Sequence, residues 1–196
     1  MESVIFARHG ESDYSLRGLV NGDVSLAVPL TPAGEEQARE LGRTLAGEEI
    51  DLCVTSGFLR VRETADLALA GRNVPRVVLE DLGDPGYGVY EGGPLDAYRA
   101  WTRSHGSGVA PDGGESRVAL VTRYARAFRV VLARAERQIL VVTHSIAIAY
   151  AIAARDGTPP APRAPVIAYA TPYPFARAEL ERATSLLEAW CAAPTW

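Results

Sequence analysis

Two short apolar runs in this chain end abruptly in histidine. Ser3-Val4-Ile5-Phe6-Ala7 leads into Arg8-His9-Gly10-Glu11, and Ile139-Leu140-Val141-Val142-Thr143 leads into His144-Ser145. The chain has 3 histidines, and two of them occupy these places. Strands of one parallel sheet deliver their C-terminal ends to a common edge, which is where layered α/β folds place their ligand sites. The pattern therefore predicts one pocket that contains both imidazoles, although they lie near opposite ends of the chain.

The 196 residues suffice for one α/β domain with a good core, and two independent domains would be cramped. We expect residues 1–196 to form a single domain. With 47% hydrophobic and 22% charged residues, the composition is that of an ordinary globular protein. A formal net charge of -4 provides no electrostatic reason for the whole surface to bind nucleic acid or an anionic membrane. No basic and apolar leader precedes the first strand, and no apolar run approaches membrane-spanning length, so the cytoplasm is the expected location. Cys53 and Cys191 form no C-x-x-C pair, which points to reduced, structural cysteines and leaves a single disulfide as the other option. All 20 basic residues are arginine. That composition removes lysine chemistry and suits bidentate recognition of phosphate or carboxylate.

Helix and strand signals alternate, as in a sheet covered by helices. After the first strand comes a polar loop from about Glu11 to Leu30. Thr31-Pro32 then opens a helix, with Thr31 as N-cap, Pro32 at the first position, and Ala38, Leu41 and Leu45 as its apolar stripe. Ile50 to Thr55 reads as the second strand, followed by a helix from about Ser56 to Ala70, and Val74 to Leu79 as the third strand. An excursion at about 83–114 carries Gly and aromatic residues and a short helix near Leu95 to Arg103. It is too short to own a core and reads as a cap. A long helix from Ser116 to Arg134, the strand ending at His144, a helix directly after it, a Pro-rich loop from Gly157 to Pro165, a last strand at Val166 to Ala170 and a terminal helix from Phe175 to Ala192 complete the pattern. The fold class is α/β: three layers, a mostly parallel central sheet, and helices on both faces.

His105, in a Gly/Ser-rich loop, reads as a solvent-exposed residue. His9 differs because Arg8 precedes it and Gly10 follows it at a strand end. A guanidinium beside an imidazole holds an anion within reach of a nucleophilic ring nitrogen, and Gly10 lets backbone come close. Arg60 lies early in the helix after the second strand and supplies a second cationic fork, whereas Arg62 points to another side and reads as surface. His144 stands at the head of a helix, whose free N–H groups favour an anion. Arg8, His9, Arg60 and His144 together describe a phosphate pocket.

These residues resemble the histidine phosphatase superfamily in its phosphoglycerate mutase-like branch. The resemblance rests on Phe6-Ala7-Arg8-His9-Gly10-Glu11-Ser12, on Pro29-Leu30-Thr31-Pro32-Ala33-Gly34 with Gln37-Ala38, and on Ser56-Gly57-Phe58-Leu59-Arg60-Val61-Arg62-Glu63-Thr64-Ala65. Gly113-Gly114-Glu115-Ser116 and Val142-Thr143-His144-Ser145 follow in the family's order. The resemblance implies a phosphatase in which His9 attacks phosphorus and becomes phosphohistidine, while Arg8, Arg60 and His144 hold the phosphoryl oxygens and Asn21 adds a neutral donor. It implies a small phosphorylated substrate, no metal and no cofactor. His9 needs a lone pair on its attacking nitrogen, so a hydrogen bond that fixes its tautomer is expected.

The leaving alkoxide needs a proton. The family's usual acid falls on Asp84, a few residues before Gly88-Val89-Tyr90-Glu91-Gly92. It departs from the family's Glu by one methylene, and Asp84 competes with a bland role as a turn residue before Pro85-Gly86. Glu91 is the reserve acid. Ser145 replaces a common Gly, which costs little if only its backbone is used. Glu11 and Glu115 are assigned supporting or helix-capping roles. Tyr87, Tyr90, Tyr98 and Trp101 either line the cleft or pack the cap. The rival activity is a 2,3-bisphosphoglycerate-dependent mutase. It is disfavoured because the mutases' basic segment is replaced here by Gly86-Tyr87-Gly88-Val89-Tyr90-Glu91 and their Arg-Arg pair by Thr102-Arg103-Ser104. A binder without catalysis is the other rival, and no motif decides between monomer and homodimer.

Overall fold

The computed structural model describes residues 1–196. The chain runs β1 (Ser3–Arg8), α1 (Asp13–Leu16), α2 (Pro32–Thr44), β2 (Leu52–Thr55), α3 (Leu59–Ala68), β3 (Arg76–Val78), α4 (Leu95–Ser104), α5 (Arg117–Leu132), β4 (Gln138–Thr143), α6 (Ser145–Arg155), β5 (Pro172–Ala176) and α7 (Arg177–Ala192). Short 3₁₀ turns lie at Glu80–Leu82 and Gly88–Tyr90. The sheet order is β3-β2-β4-β1-β5. β1 to β4 are mutually parallel where they pair, and β5 is antiparallel to β1. This is the expected three-layer, mostly parallel architecture. No helix is long and apolar enough to cross a membrane.

Alternation along the strands assigns each side chain to a layer. Val4 and Phe6 of β1, Leu52 and Val54 of β2, and Ile139 and Val141 of β4 join α5, α6 and α7 in one cluster of 27 buried residues. The intervening Ile5, Ala7, Cys53, Leu140 and Val142 join α2 and α3 in a second cluster of 14. Both faces of the central strands are thus covered, and their sequences are apolar throughout for that reason. Phe6 is fully buried, with its ring edge-on to Phe128 and Phe175 at centroid distances of 5.4 and 5.2 Å.

Three sequence expectations need correction. The last strand is Pro172–Ala176, not Val166 to Ala170. Two prolines argue against a central strand, but this one lies at the sheet edge, pairs only with β1, and tolerates missing N–H donors. Consequently the terminal helix starts at Arg177, where the Glu179 carboxylate accepts from the Ala176 N–H at 2.8 Å. The loop from Glu11 to Leu30 contains the short helix α1, capped by Ser12.

Thr31 caps α2 as expected, its hydroxyl accepting from Gly34 N–H at 3.0 Å. The start of that helix is pressed against the loop after β1. A Cβ on Gly10 would lie 2.4 Å from the Gly34 carbonyl oxygen, and one on Gly34 only 1.9 Å from that of Glu11. Both glycines are required by backbone-to-backbone contact, which fixes the turn that follows His9. Gly34→Ala is expected to lower unfolding free energy by about 1–3 kcal/mol in urea denaturation, because neither backbone segment can yield without moving a central strand.

Candidate active site

In the parallel register of β1 and β4, Arg8 is paired with Thr143, so the next residues, His9 and His144, leave the sheet side by side. Their ring centroids are 5.3 Å apart. Both are buried. His9 Nδ1 lies 2.7 Å from the Gly10 carbonyl oxygen. A carbonyl only accepts, so Nδ1 carries the proton and Nε2 has the lone pair, which accepts from Arg60 Nε at 3.3 Å. The Nδ1–H bond to the Gly10 carbonyl is the tautomer-fixing bond expected from the sequence. His144 Nδ1 accepts from Arg60 Nη2 at 3.3 Å, so its other nitrogen, Nε2, donates to Ser56 Oγ at 3.0 Å. Burial, reinforced by the Arg60 charge, holds both imidazoles well below the ordinary histidine value, and the pair is therefore neutral.

Arg60 occupies the first turn of α3 and is itself buried. Besides both histidines, it donates through Nη1 to Asn21 Oδ1 at 2.6 Å, and through Nη2 to the Asn21 carbonyl and to Asp84 Oδ2, each at 3.1 Å. Asn21 in turn directs its Nδ2 to the Asp23 carbonyl at 3.0 Å and towards Glu91 at 3.4 Å. In this arrangement Asn21 steadies Arg60, and its own donor is engaged. Asp84 Oδ2 lies 3.6 Å from His144 Nδ1. Desolvation raises the Asp84 pKa, partly opposed by Arg60, Arg8 and Arg123.

Arg8 approaches the same space from β1. Its guanidinium stacks on Tyr169, 3.8 Å from the ring centroid, and Nη1 donates to the Ile167 carbonyl at 2.7 Å. The Ile167 N–H is held by Ser145 Oγ at 3.0 Å. The hydroxyl that distinguishes Ser145 from glycine therefore supports the seat of Arg8, and Val166 to Ala170 forms that seat instead of a strand.

The other carboxylates take supporting places. Glu115 precedes the α5 N-cap Ser116 and does not cap the helix. It pairs with Arg123 at 2.8 and 2.9 Å. Arg123 then donates to the carbonyls of Asp81, Gly83 and Asp84 at 2.7, 2.8 and 2.7 Å, clamping the loop that carries the Asp84 carboxyl. Glu91 receives the Gly22 N–H on both oxygens at 2.9 and 3.0 Å and is absent from the cavity wall. Glu11 accepts from the Thr31 hydroxyl at 2.8 Å. Arg62 and His105 are exposed, as expected.

Sequence reasoning passed over Ser56, Thr64, Arg123 and Tyr169. Thr64 Oγ1 accepts the Gly10 N–H at 3.0 Å and donates to the Arg60 carbonyl at 2.6 Å, joining the His9 turn to α3. A signal existed for Thr64, since it sits one helical turn after Arg60 on the same face. None existed for Arg123 or Tyr169, whose partners are remote in sequence.

A cavity of about 650 Å³ opens above His9, Arg8, Arg60 and Asp84, within the range of small-molecule sites. The excursion contributes Asp84, Pro85, Tyr87, Leu95 and Tyr98 to its wall, and the loop from Pro162 to Val166 contributes as well. Tyr87 and Tyr98 are buried with Val20, pack edge-on at 4.7 Å, and line the cavity, whereas Tyr90 and Trp101 only pack behind them.

The chain belongs to branch 1 of the histidine phosphatase superfamily, whose family model matches residues 4–171. It is 31% identical to the uncharacterized phosphatase PhoE of Bacillus subtilis over 76% of this chain and 74% of that protein. It is 33% identical to a 2,3-bisphosphoglycerate-dependent phosphoglycerate mutase of Methylobacterium sp., over 79% of this chain and 80% of that one. The alpha-ribazole phosphatase of Shigella flexneri superposes with a TM-score of 0.71 at 30% identity, covering 80% of this chain and 81% of that one.

The two depressed histidine pKa values carry a stability consequence. Below the ordinary value of 6.5 the unfolded chain takes up protons that folded His9 and His144 refuse, so stability is full above that pH and is lost as pH falls. Each contributes a slope of up to about 1.4 kcal/mol per pH unit. Asp84, with its raised value, acts in the opposite sense. Urea denaturation at pH 7 and pH 5.5 is expected to show a smaller loss in His9→Gln and His144→Gln than in the parent, isolating the histidine contribution.

Proposed function

We propose that the chain is a phosphomonoesterase that hydrolyses a small phosphorylated molecule through a phosphohistidine on His9. The observation that carries this reading is the His9 tautomer: Nδ1–H is tied to the Gly10 carbonyl and Nε2 faces the cavity with its lone pair. A substrate phosphoryl group placed between Arg8 and Arg60 displaces Arg60 Nε from that lone pair. Nε2 then attacks phosphorus in line, the P–N bond forms, and the bond to the leaving oxygen breaks. The imidazole gains positive charge, which the Gly10 carbonyl stabilises.

Arg8 and Arg60 supply fixed cationic donors to the equatorial oxygens. His144 contributes through Nδ1 once that nitrogen is protonated, a change that an arriving dianion favours by offsetting the Arg60 and Arg8 charges. Asp84, raised towards its protonated form and 3.1 Å from Arg60, gives its proton to the leaving alkoxide. In the second half, the Asp84 carboxylate accepts a proton from water, the water oxygen bonds to phosphorus, and the P–N bond breaks to regenerate neutral His9. The free thiols Cys53 and Cys191 fit a reducing cytoplasm.

The role of Asp84 is tested by leaving-group dependence. Asp84→Asn is expected to lower kcat/KM on alkyl phosphates by about 10²–10⁴-fold and to affect 4-nitrophenyl phosphate far less, because nitrophenolate leaves without a proton. Glu91→Gln should not show this selectivity. An equal loss on both substrates in Asp84→Asn contradicts the proposed acid, and unchanged turnover in His9→Ala contradicts the mechanism. Phosphate release without bisphosphoglycerate-dependent isomerisation of phosphoglycerate separates the hydrolase from the mutase.

A further inference from the structure

The whole chain has three buried side-chain nitrogens with no hydrogen-bond partner: Arg8 Nε, Arg117 Nε and Arg117 Nη1. They belong to two arginines that line the same cavity. Buried donors without partners are rare and costly, and an unexplained one points to a missing acceptor. For Arg8 the acceptor is the phosphoryl group already described. Arg117 has no role in that chemistry.

Arg117 is the first residue of α5 and is 92% buried by its 8% exposure. Its guanidinium lies over the Tyr98 ring, 5.4 Å from the centroid. An aromatic face covers the plane of a guanidinium but offers nothing to the N–H groups at its edge. Neighbouring carboxylates are committed elsewhere: Glu115 to Arg123, Asp84 to Arg60, and Asp96 to Arg99. The hydroxyls of Tyr124 and Tyr150 donate to the carbonyls of Gly83 and Ala161, and neither oxygen accepts from Arg117 Nε or Nη1. A cation is therefore enclosed without a counter-charge. The cavity wall holds six arginines, at positions 8, 60, 99, 103, 117 and 163, against two aspartates, Asp84 and Asp96. This excess occurs in a chain whose net charge is -4.

We propose that Arg117 recognises a second anionic group, a carboxylate or a phosphate, on the alcohol part of the substrate. This rests on the phosphatase reading above and deepens it: the substrate is a phosphomonoester with two separated negative groups. The position fits. Tyr87, two residues beyond Pro85 in the Asp84 loop, packs edge-on at 4.7 Å against Tyr98, on which Arg117 rests. Only the Tyr87–Tyr98 pair therefore stands between Arg117 and the loop that carries the proposed acid. Rotation of its side chain presents the guanidinium fork to the cavity it already lines, and the positive end of α5 adds to the attraction.

The test compares ω-carboxyalkyl phosphates of increasing chain length with their primary amides, which differ in charge but hardly in size. At the best length, the carboxylate is expected to exceed the amide in kcat/KM by at least about 10-fold, mainly through KM. Arg117→Met, which keeps the apolar stem against Tyr98, should bring that ratio close to one, and Arg117→Lys should retain part of it. Equal values for carboxylate and amide at every length in the parent protein overturn the proposal, as does an undiminished ratio in folded Arg117→Met. If the parent turns over neither series, the phosphatase reading has failed. Calorimetric binding of the same pairs to His9→Ala then reads the second site independently, with carboxylate preference supporting it and none overturning it.

Discussion

The buried guanidinium of Arg60 is the interaction around which this site is organised. One side chain donates to His9, His144, Asn21 and Asp84, and so fixes the orientation of both imidazoles, of the loop after α1, and of the carboxyl that faces them. Such a charge is costly to enclose unless it is paired and fully hydrogen-bonded. Asp84 is its one carboxylate partner, and Arg8 is close enough to act on the same two histidines. The resting site is thus an excess of fixed positive charge around two neutral rings. In the proposed mechanism a phosphoryl dianion relieves that excess, so that binding and activation become the same event.

Everything around Arg60 serves to keep that geometry. The parallel register of β1 with β4 places His9 beside His144 without any side-chain adjustment. Thr64 ties the His9 turn to α3, and Gly10 and Gly34 hold the same turn against α2. Arg123 and Glu115 do for Asp84 what Ser145, Ile167 and Tyr169 do for Arg8: they lock the backbone or face behind the working group. Groups mounted on strand ends and helix starts, each with such backing, are held more closely than groups on free loops.

Much of this was legible in the residues. The apolar runs before His9 and His144 located two central strands, and the sheet carries their ends to one edge whatever the intervening chain does. Arg60 was legible because a strand and a helix start flank it. Pro172–Ala176 was not, because its prolines oppose strand propensity and only the edge position permits them. Arg123 and Tyr169 were hidden for another reason: each acts on a backbone or side chain brought near by tertiary folding, and no local spacing encodes that. Arg117 was equally invisible, since its distinguishing property is the absence of a partner.

The central claim is that His9 is the nucleophile and that the Gly10 carbonyl decides which of its nitrogens reacts. The most direct measurement is an alkaline quench of the protein during turnover of an aryl phosphate, followed by peptide mapping that distinguishes the two phosphohistidine isomers. The account predicts phosphate on Nε2 of His9 and on no other residue. Phosphate on Nδ1, on His144, or no covalent phosphate during steady turnover would contradict it.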